Sequence, residues 1–221
     1  MNQSINPFSE TEVAAVYRAI YERRDMRHFR PDPVDEAVLA RLLAAAHHAP
    51  SVGYMQPWRF IRIKDQALRQ AIHDLTREEQ EQTAQACGER GELVRRLKLE
   101  GVMECGELLI AALVDGREAY VVGRRTMPEM DLCSVACAIQ NLWLAARAEG
   151  LGLGWVSIYD PQRLDQLLGL PAGARSVAVL CLGHVDAFPK EPLLETLGWD
   201  QRRPMANLVF ENTWGQTVPA A

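Results

Sequence analysis

Apolar residues first recur at helical spacing near the start of the chain, where Val13, Val16, Tyr17 and Ile20 share one side of a 3.6-residue period. Ser9 and Glu12 stand three apart just before that stripe, the spacing of a capping box, and predict where the helix begins. The period is lost near Arg24. Pro31 and Pro33 form a rigid connector, after which Val38, Leu39, Leu42 and Leu43 make a second helical stripe. Asp35 and Glu36 fall in its first turn, and Pro50 ends it. "SVGYMQPW" predicts a loop and "WRFIRI" a strand. From about Asp65 to Gly106 the chain is polar and helix-favouring. Apolar anchors are few between Thr76 and Arg90, which predicts an exposed or mobile segment.

The second half alternates more regularly. "ELLIAALVD" is an almost unbroken apolar run, as in a strand covered on both faces. "GREAYVVGRRTMPEM" predicts a loop. In "DLCSVACAIQNLWLAARAEG", Leu132, Val135, Ala136, Ile139, Leu142, Trp143 and Ala146 cover a wide helical face, and Gly150 supplies the stop. Such a helix is largely buried. "LGLGWVSIYD" predicts a strand, "PQRLDQLLGL" a short helix opened by Pro161, and "SVAVLCLGHV" another strand. The tail carries two tryptophans but little period, the pattern of an arm over residues 186–221 that packs on a partner subunit. The expected architecture is one α+β domain over residues 1–221, with a central mixed β-sheet flanked by helices.

Composition narrows the function. The 221 residues carry a net charge of −5, with a pI near 5.6. That balance points to neither nucleic acid nor a membrane surface as partner. Five cysteines form no C-x-x-C pair, and an odd count argues against a complete disulfide framework. Cys133 and Cys137, four apart on a helix, read as buried apolar thiols rather than as metal ligands. His47 and His48 lack a third ligand at metal spacing, so no metal is expected. "MNQSINPFSE" has neither the basic start nor the apolar core of a signal peptide, and no run approaches membrane-spanning length. The expected address is the cytoplasm. "GLGLGW" leads into a strand rather than out of one, and no G-x-G-x-x-G or P-loop occurs.

"ERRDMRHF" then stands out: Arg23, Arg24 and Arg27 crowd Asp25 on an otherwise acidic chain. Guanidinium forks match phosphate oxygens, and each charge-assisted hydrogen bond contributes roughly 1.5–3 kcal/mol. A surface ion-pair cluster with Asp25 and Glu22, worth about 0–1 kcal/mol per pair, is the alternative. Two companions favour a ligand. "APSVGYMQPWRF" puts Ser51, a glycine and a glutamine in a loop between prolines, where backbone amides can meet a ligand. "GWVSIYD" puts Ser157 at a strand end, after two glycines that leave room for a flat ring. Together they suggest a planar, phosphorylated cofactor.

"ERRDMRHF" resembles the "RRSxRxF" entry motif of the nitroreductase-like FMN flavoproteins, and "AAHHAPSVGYMQPWRFI" resembles their second motif. The resemblance spans about Tyr17 to Gly183. It implies an α+β fold, an obligate homodimer with an exchanged C-terminal arm, FMN at the subunit interface, and first-motif arginines on the FMN phosphate and ribityl. Arg23, Arg24, Asp25, Met26, Arg27, Ser51, Leu99 and Ser157 are carried over as FMN contacts; Arg202 and Arg203 add charge near the tail.

One position departs from the motif, since its serine is Asp25 here. With "LKLEG", "GRRTMPEMDL" and "AIQNLWLAARAEGLGLGWVSI", that departure resembles a flavin-fragmenting branch of the superfamily. There, reduced FMN is the substrate, and O2 breaks it into dimethylbenzimidazole, the lower ligand of vitamin B12, and erythrose 4-phosphate. The implied catalytic residues are Asp25 and Ser157. A carboxylate can take a proton where serine cannot at neutral pH. NAD(P)H would enter only through a separate flavin reductase. Residues 76–100 are the candidate lid to exclude water, or else a plain helical excursion. Two rivals are an NAD(P)H-dependent nitro- or quinone reductase holding FMN permanently, and a non-catalytic flavin-binding protein. Neither needs a carboxylate at position 25.

Overall fold

The structure is a computed structural model that describes residues 7–217. Most of the stretch tested for a signal peptide and the last residues of the tail lie outside the described residues. The chain divides into two units, Met1–Lys190 and Glu191–Ala221.

In the first unit the elements run α1 (Glu10–Glu22), α2 (Glu36–His47), β1 (Trp58–Ile63), α3 (Gln66–Ala86), α4 (Gly91–Arg95), α5 (Gly101–Glu104), β2 (Glu107–Leu113), α6 (Met130–Ala148), β3 (Gly152–Val156), α7 (Pro161–Leu168) and β4 (Arg175–Gly183). Their starts follow local chemistry. The Ser9 hydroxyl accepts from the Glu12 N–H while the Glu12 carboxylate accepts from the Ser9 N–H, a complete capping box. Asp35 caps α2 and Asp65 caps α3. Asp160 caps α7, whose first turn holds Pro161 and whose end is closed by Gly169 at φ 64°.

The sheet has strand order β1-β2-β4-β3, and every neighbouring pair is antiparallel. This corrects the mixed sheet expected above. The apolar run of β2 reflects cover on both faces, not strand direction. Leu109, Ala111 and Leu113 face one core with Leu39 and Leu42 of α2 and Ile139 and Leu142 of α6. Leu108 and Ile110 face the other, with Ile72 of α3 and Leu164 of α7. The alternation is the two-residue period of a strand. Each large side chain so buried contributes about 1.5–3 kcal/mol. The isolated bridge between Asp25 and Leu153 is parallel, and lays residues 25–26 along the outer edge of β3.

Two helices differ from expectation. α6 buries its predicted face, but Cys133 and Cys137 lie exposed on the opposite one, so they are not the buried thiols expected. They are separated from the core by the same period that buries Val135 and Ile139. α1 has the predicted stripe yet buries none of it; Val13, Val16, Tyr17 and Ile20 stay exposed. In residues 76–90, expected to be exposed or mobile, α3 is anchored by two polar residues and one alanine. Thr76 and Gln80 are buried on the same face of α3 as Ile72 and Ala84. The Gln80 amide donates to the carbonyls of Val94 and Leu97, at 2.8 and 2.7 Å.

The second unit is mostly turns, with a short α8 (Leu193–Thr196), and sets the Phe210 and Trp214 rings 5.2 Å apart at a tilt of 51°.

Candidate functional site

The chain leaves α1 and runs beside β3, and this path sets the site. The Met26 N–H donates to the Leu153 carbonyl at 3.0 Å. Gly152 and Gly154 make the approach feasible. A Cβ on Gly154 would meet the Met26 carbonyl oxygen at 2.2 Å, and one on Gly152 would meet the Met26 side chain at 2.9 Å. The glycines read above as room for a flat ring are therefore filled by the chain's own residues 25–26. Close backbone approach explains them.

Asp25 is fixed at both oxygens. The Trp155 N–H donates to Oδ1 at 2.8 Å, and the Arg27 guanidinium donates to Oδ2. Arg27 also donates to the Trp155 carbonyl at 3.2 Å. The Asp25 side chain keeps 38% of its exposure against 17% for Arg27. Burial of the carboxyl raises its pKa above the ordinary aspartate value, and the Arg27 charge and the Trp155 hydrogen bond only partly offset that. The result is an oriented carboxylate that takes up a proton more readily than a free aspartate.

The three arginines diverge. Arg24 donates to the carbonyls of Tyr21, at 2.8 Å, and Arg23, at 2.7 Å, and also to that of Lys190, so its fork closes the end of α1. Arg23 lies over the Trp143 ring at 4.4 Å, a cation–π contact. Trp143 in turn donates its indole N–H to the Arg24 carbonyl at 3.1 Å. Glu22 pairs with Arg18 and Arg147. The Asp25–Arg27 ion pair is the part of the expected charge cluster that forms here.

Ser157 is exposed just past the end of β3, two residues beyond the amide that holds Asp25. Ser51 opens the short turn 52–54, and its hydroxyl accepts from the Gln56 N–H at 3.1 Å. Met26 is buried beneath β3. Leu99 is fully buried in the second core, so its side chain backs the Lys98–Glu100 segment and offers no surface of its own. Trp58 and Trp143 are buried in the first core, and Trp155 packs against it partly buried. Among the described residues, no group of three or more metal-ligating side chains converges.

Two contributors escaped the sequence. Trp155 acts through its backbone, which no side-chain motif signals. Ser134, on the buried face of α6, accepts from the Val52 N–H at 3.1 Å and donates to the Met130 carbonyl at 2.7 Å, tying the Ser51 turn to the helix. A serine inside an apolar helical stripe was the available signal.

An antiparallel sheet with helices on both faces, entered by an arginine-rich turn along its edge strand, defines the class. Residues 20–184 match the model of the nitroreductase family, and the chain belongs to that family. In particular, it is 49% identical over 189 residues to the 5,6-dimethylbenzimidazole synthase of Rhodospirillum rubrum, an alignment covering 82% of this chain and 87% of the relative. Among solved structures, a BluB-like flavoprotein from Clostridium difficile 630 superposes with TM-score 0.67 at 19% identity, over 90% of this chain and 99% of that one. Iodotyrosine deiodinase bound to FMN and 3-iodo-L-tyrosine superposes with TM-score 0.66 at 24% identity, over 80% and 94%. The family expected from the two motifs is thereby borne out. No helix among the described residues is long and apolar enough to cross a membrane.

Proposed function

We propose that this chain is a 5,6-dimethylbenzimidazole synthase, which uses O2 to fragment reduced FMN into dimethylbenzimidazole and erythrose 4-phosphate. The observation that carries the reading is Asp25: a carboxylate pinned by Trp155 and Arg27 at the place where the family motif has serine. The likeness to a named synthase at 49% identity supports it.

The donor set fits the ligand. Arg23 and Arg27 supply cations for a phosphate and a polyol chain, with Arg24 adding charge while it closes α1. Ser51 and Ser157 supply hydroxyls for the ring edge, and Met26 and Leu99 back the site from within. Reduced FMN, once bound, supplies the electrons that O2 takes up. The chain's own task is to orient the ligand and to move protons. The pinned Asp25 oxygens accept a proton during bond breaking, and a raised pKa brings that carboxyl nearer to the operating pH. The exposed Ser157 hydroxyl donates a hydrogen bond to developing charge.

The exposed apolar face of α1 supports a homodimer whose C-terminal arm, 186–221, is exchanged. Residues 76–100, cross-linked by Gln80, are the proposed lid. A separate flavin reductase supplies reduced FMN, and the proposed address is the cytoplasm. The test against a nitroreductase is direct. Purified protein given NADPH and a nitroarene should consume neither, and should act only when reduced FMN is delivered to it. Steady NADPH oxidation by the protein alone would refute the reading.

A further inference from the structure

The loop between β2 and α6 holds charged groups that the mechanism above does not use. Arg117 and Arg124 both bind the buried carboxylate of Asp131, in the first turn of α6. The Arg117 Nε lies 2.8 Å and the Arg124 Nη2 3.1 Å from Asp131 Oδ2. Asp131 is only 7% exposed and Arg124 only 10%. Arg117 also donates to the carbonyls of Val114, at the end of β2, and Gly173, at 2.5 and 2.6 Å. Arg124 donates to the carbonyls of Arg117 and of Tyr120, the latter at 3.3 Å. These bonds fasten residues 117–124 to the sheet on one side and to α6 on the other.

The fastened loop presses on the Ser51 turn. A Cβ on Gly123, at φ +75°, would meet Val52 Cγ2 at 2.5 Å. A Cβ on Gly53, at φ +53°, would meet the Val122 carbonyl oxygen at 3.1 Å. Glycines at left-handed backbone positions thus let the two loops interlock. The turn is gripped from the other side by Ser134, which accepts from the Val52 N–H. Tyr54 and Gln56 hold positive φ in the same turn, a conformation that persists only where the surroundings enforce it.

We propose that Arg124, working with Arg117 and Asp131, is a positioning residue for the flavin site, which it serves by clamping the turn that carries Ser51. The proposal rests on Ser51 contacting FMN, as read above. A bare stabilising role for the ion cluster predicts a different pattern, in which its loss weakens folding and ligand binding without regard to Ser51.

A double-mutant cycle on FMN binding separates the two. Oxidised FMN is titrated by fluorescence quenching into the parent protein, Arg124→Met, Ser51→Ala and the double variant, with thermal melting as the check on folding. Arg124→Met should raise the Kd about tenfold, the low end of the loss seen when a group that orients a metal ligand is removed. In the Ser51→Ala background it should add less than about twofold, because the contact it positions is already gone. If Arg124→Met does not fold, Val52→Ala carries the same cycle, since it loosens the packing of the Ser51 turn against Gly123. Losses that simply add, or an unchanged Kd, overturn the proposal while leaving flavin binding intact. A Ser51→Ala variant with parental affinity, or a parent that binds no FMN, removes the reading underneath and the proposal with it. Product formation plays no part in the readout, so a protein that binds FMN but does not fragment it still tests the clamp.

Discussion

Replacing Asp25 with asparagine separates holding the flavin from breaking it. The asparagine carbonyl can still accept from the Trp155 N–H, which lies 2.8 Å from Oδ1 in the parent. Its amide nitrogen, however, faces the Arg27 guanidinium where the parent has Oδ2, so two donors meet. The loss is one charge-assisted hydrogen bond, about 1.5–3 kcal/mol before desolvation is counted. The gain is relief of the burial that pushes the Asp25 carboxyl up. With 38% of the side chain exposed, solvent screens both terms. The folding free energy should therefore move by no more than about 1 kcal/mol at neutral pH. The sign with pH is fixed. A raised folded pKa means that the penalty on the parent is present above that pKa and fades on acidification, and that it is gone below the ordinary aspartate value of 3.8. The parent should gain on the variant in melting temperature as pH falls through that window. Fragmentation should fall by about 10²–10⁴, the share of a positioned general base, or roughly 2.7–5.5 kcal/mol of barrier. The assay mixes each protein with photoreduced FMN and air, and quantifies dimethylbenzimidazole by mass spectrometry beside FMN affinity by fluorescence. An asparagine variant that binds FMN and forms product at the parental rate would refute the role of Asp25.

Three further outcomes are expected. Gly154→Ala sets a Cβ 2.2 Å from the Met26 carbonyl, and should cost about 1–3 kcal/mol of stability and displace Asp25, read as a lower melting temperature with weaker FMN binding; unchanged melting would contradict the packing described. Ser157→Ala should lower product formation by about 10²–10³ if its hydroxyl meets developing charge, and a loss under about tenfold would reduce it to a structural residue. Gln80→Ala removes hydrogen bonds to the buried Val94 carbonyl and the half-buried Leu97 carbonyl and should cost about 1–3 kcal/mol locally. Amide hydrogen exchange should then quicken across residues 91–100 while β2 and β4 stay protected, and a uniform change would speak against a separable lid.

Much of this architecture was legible in the residues. Every predicted strand is present, because the apolar runs at 58–63, 107–113, 152–156 and 175–183 are bounded by turn residues and helix caps. Strand direction was not legible. An unbroken apolar run reports cover on two faces, and antiparallel strands between two helical layers satisfy that as well as parallel ones. The exposure of α1 and of Cys133 and Cys137 escaped for a related reason, since periodicity shows which residues share a face but not what covers it. Asp25, Arg27, Ser51 and Ser157 were legible as candidates because charged and hydroxyl groups cluster in short motifs. Their supports were not, because the Trp155 amide, the Trp143 ring under Arg23 and the Ser134 hydroxyl act across more than 80 residues of sequence. The glycines of "GLGLGW" were visible, but their purpose was misread. Only the course of residues 25–26 shows what fills the space they leave.

The central claim is that a pinned carboxylate turns a flavin-binding scaffold into one that consumes the flavin. The most direct test incubates the purified protein with FMN, NADPH, a flavin reductase and air, and follows flavin and dimethylbenzimidazole together by mass spectrometry. The account predicts one dimethylbenzimidazole formed for each FMN lost, with none when the protein is omitted. Full recovery of oxidised FMN, with hydrogen peroxide as the sole product of oxygen consumption, would contradict it.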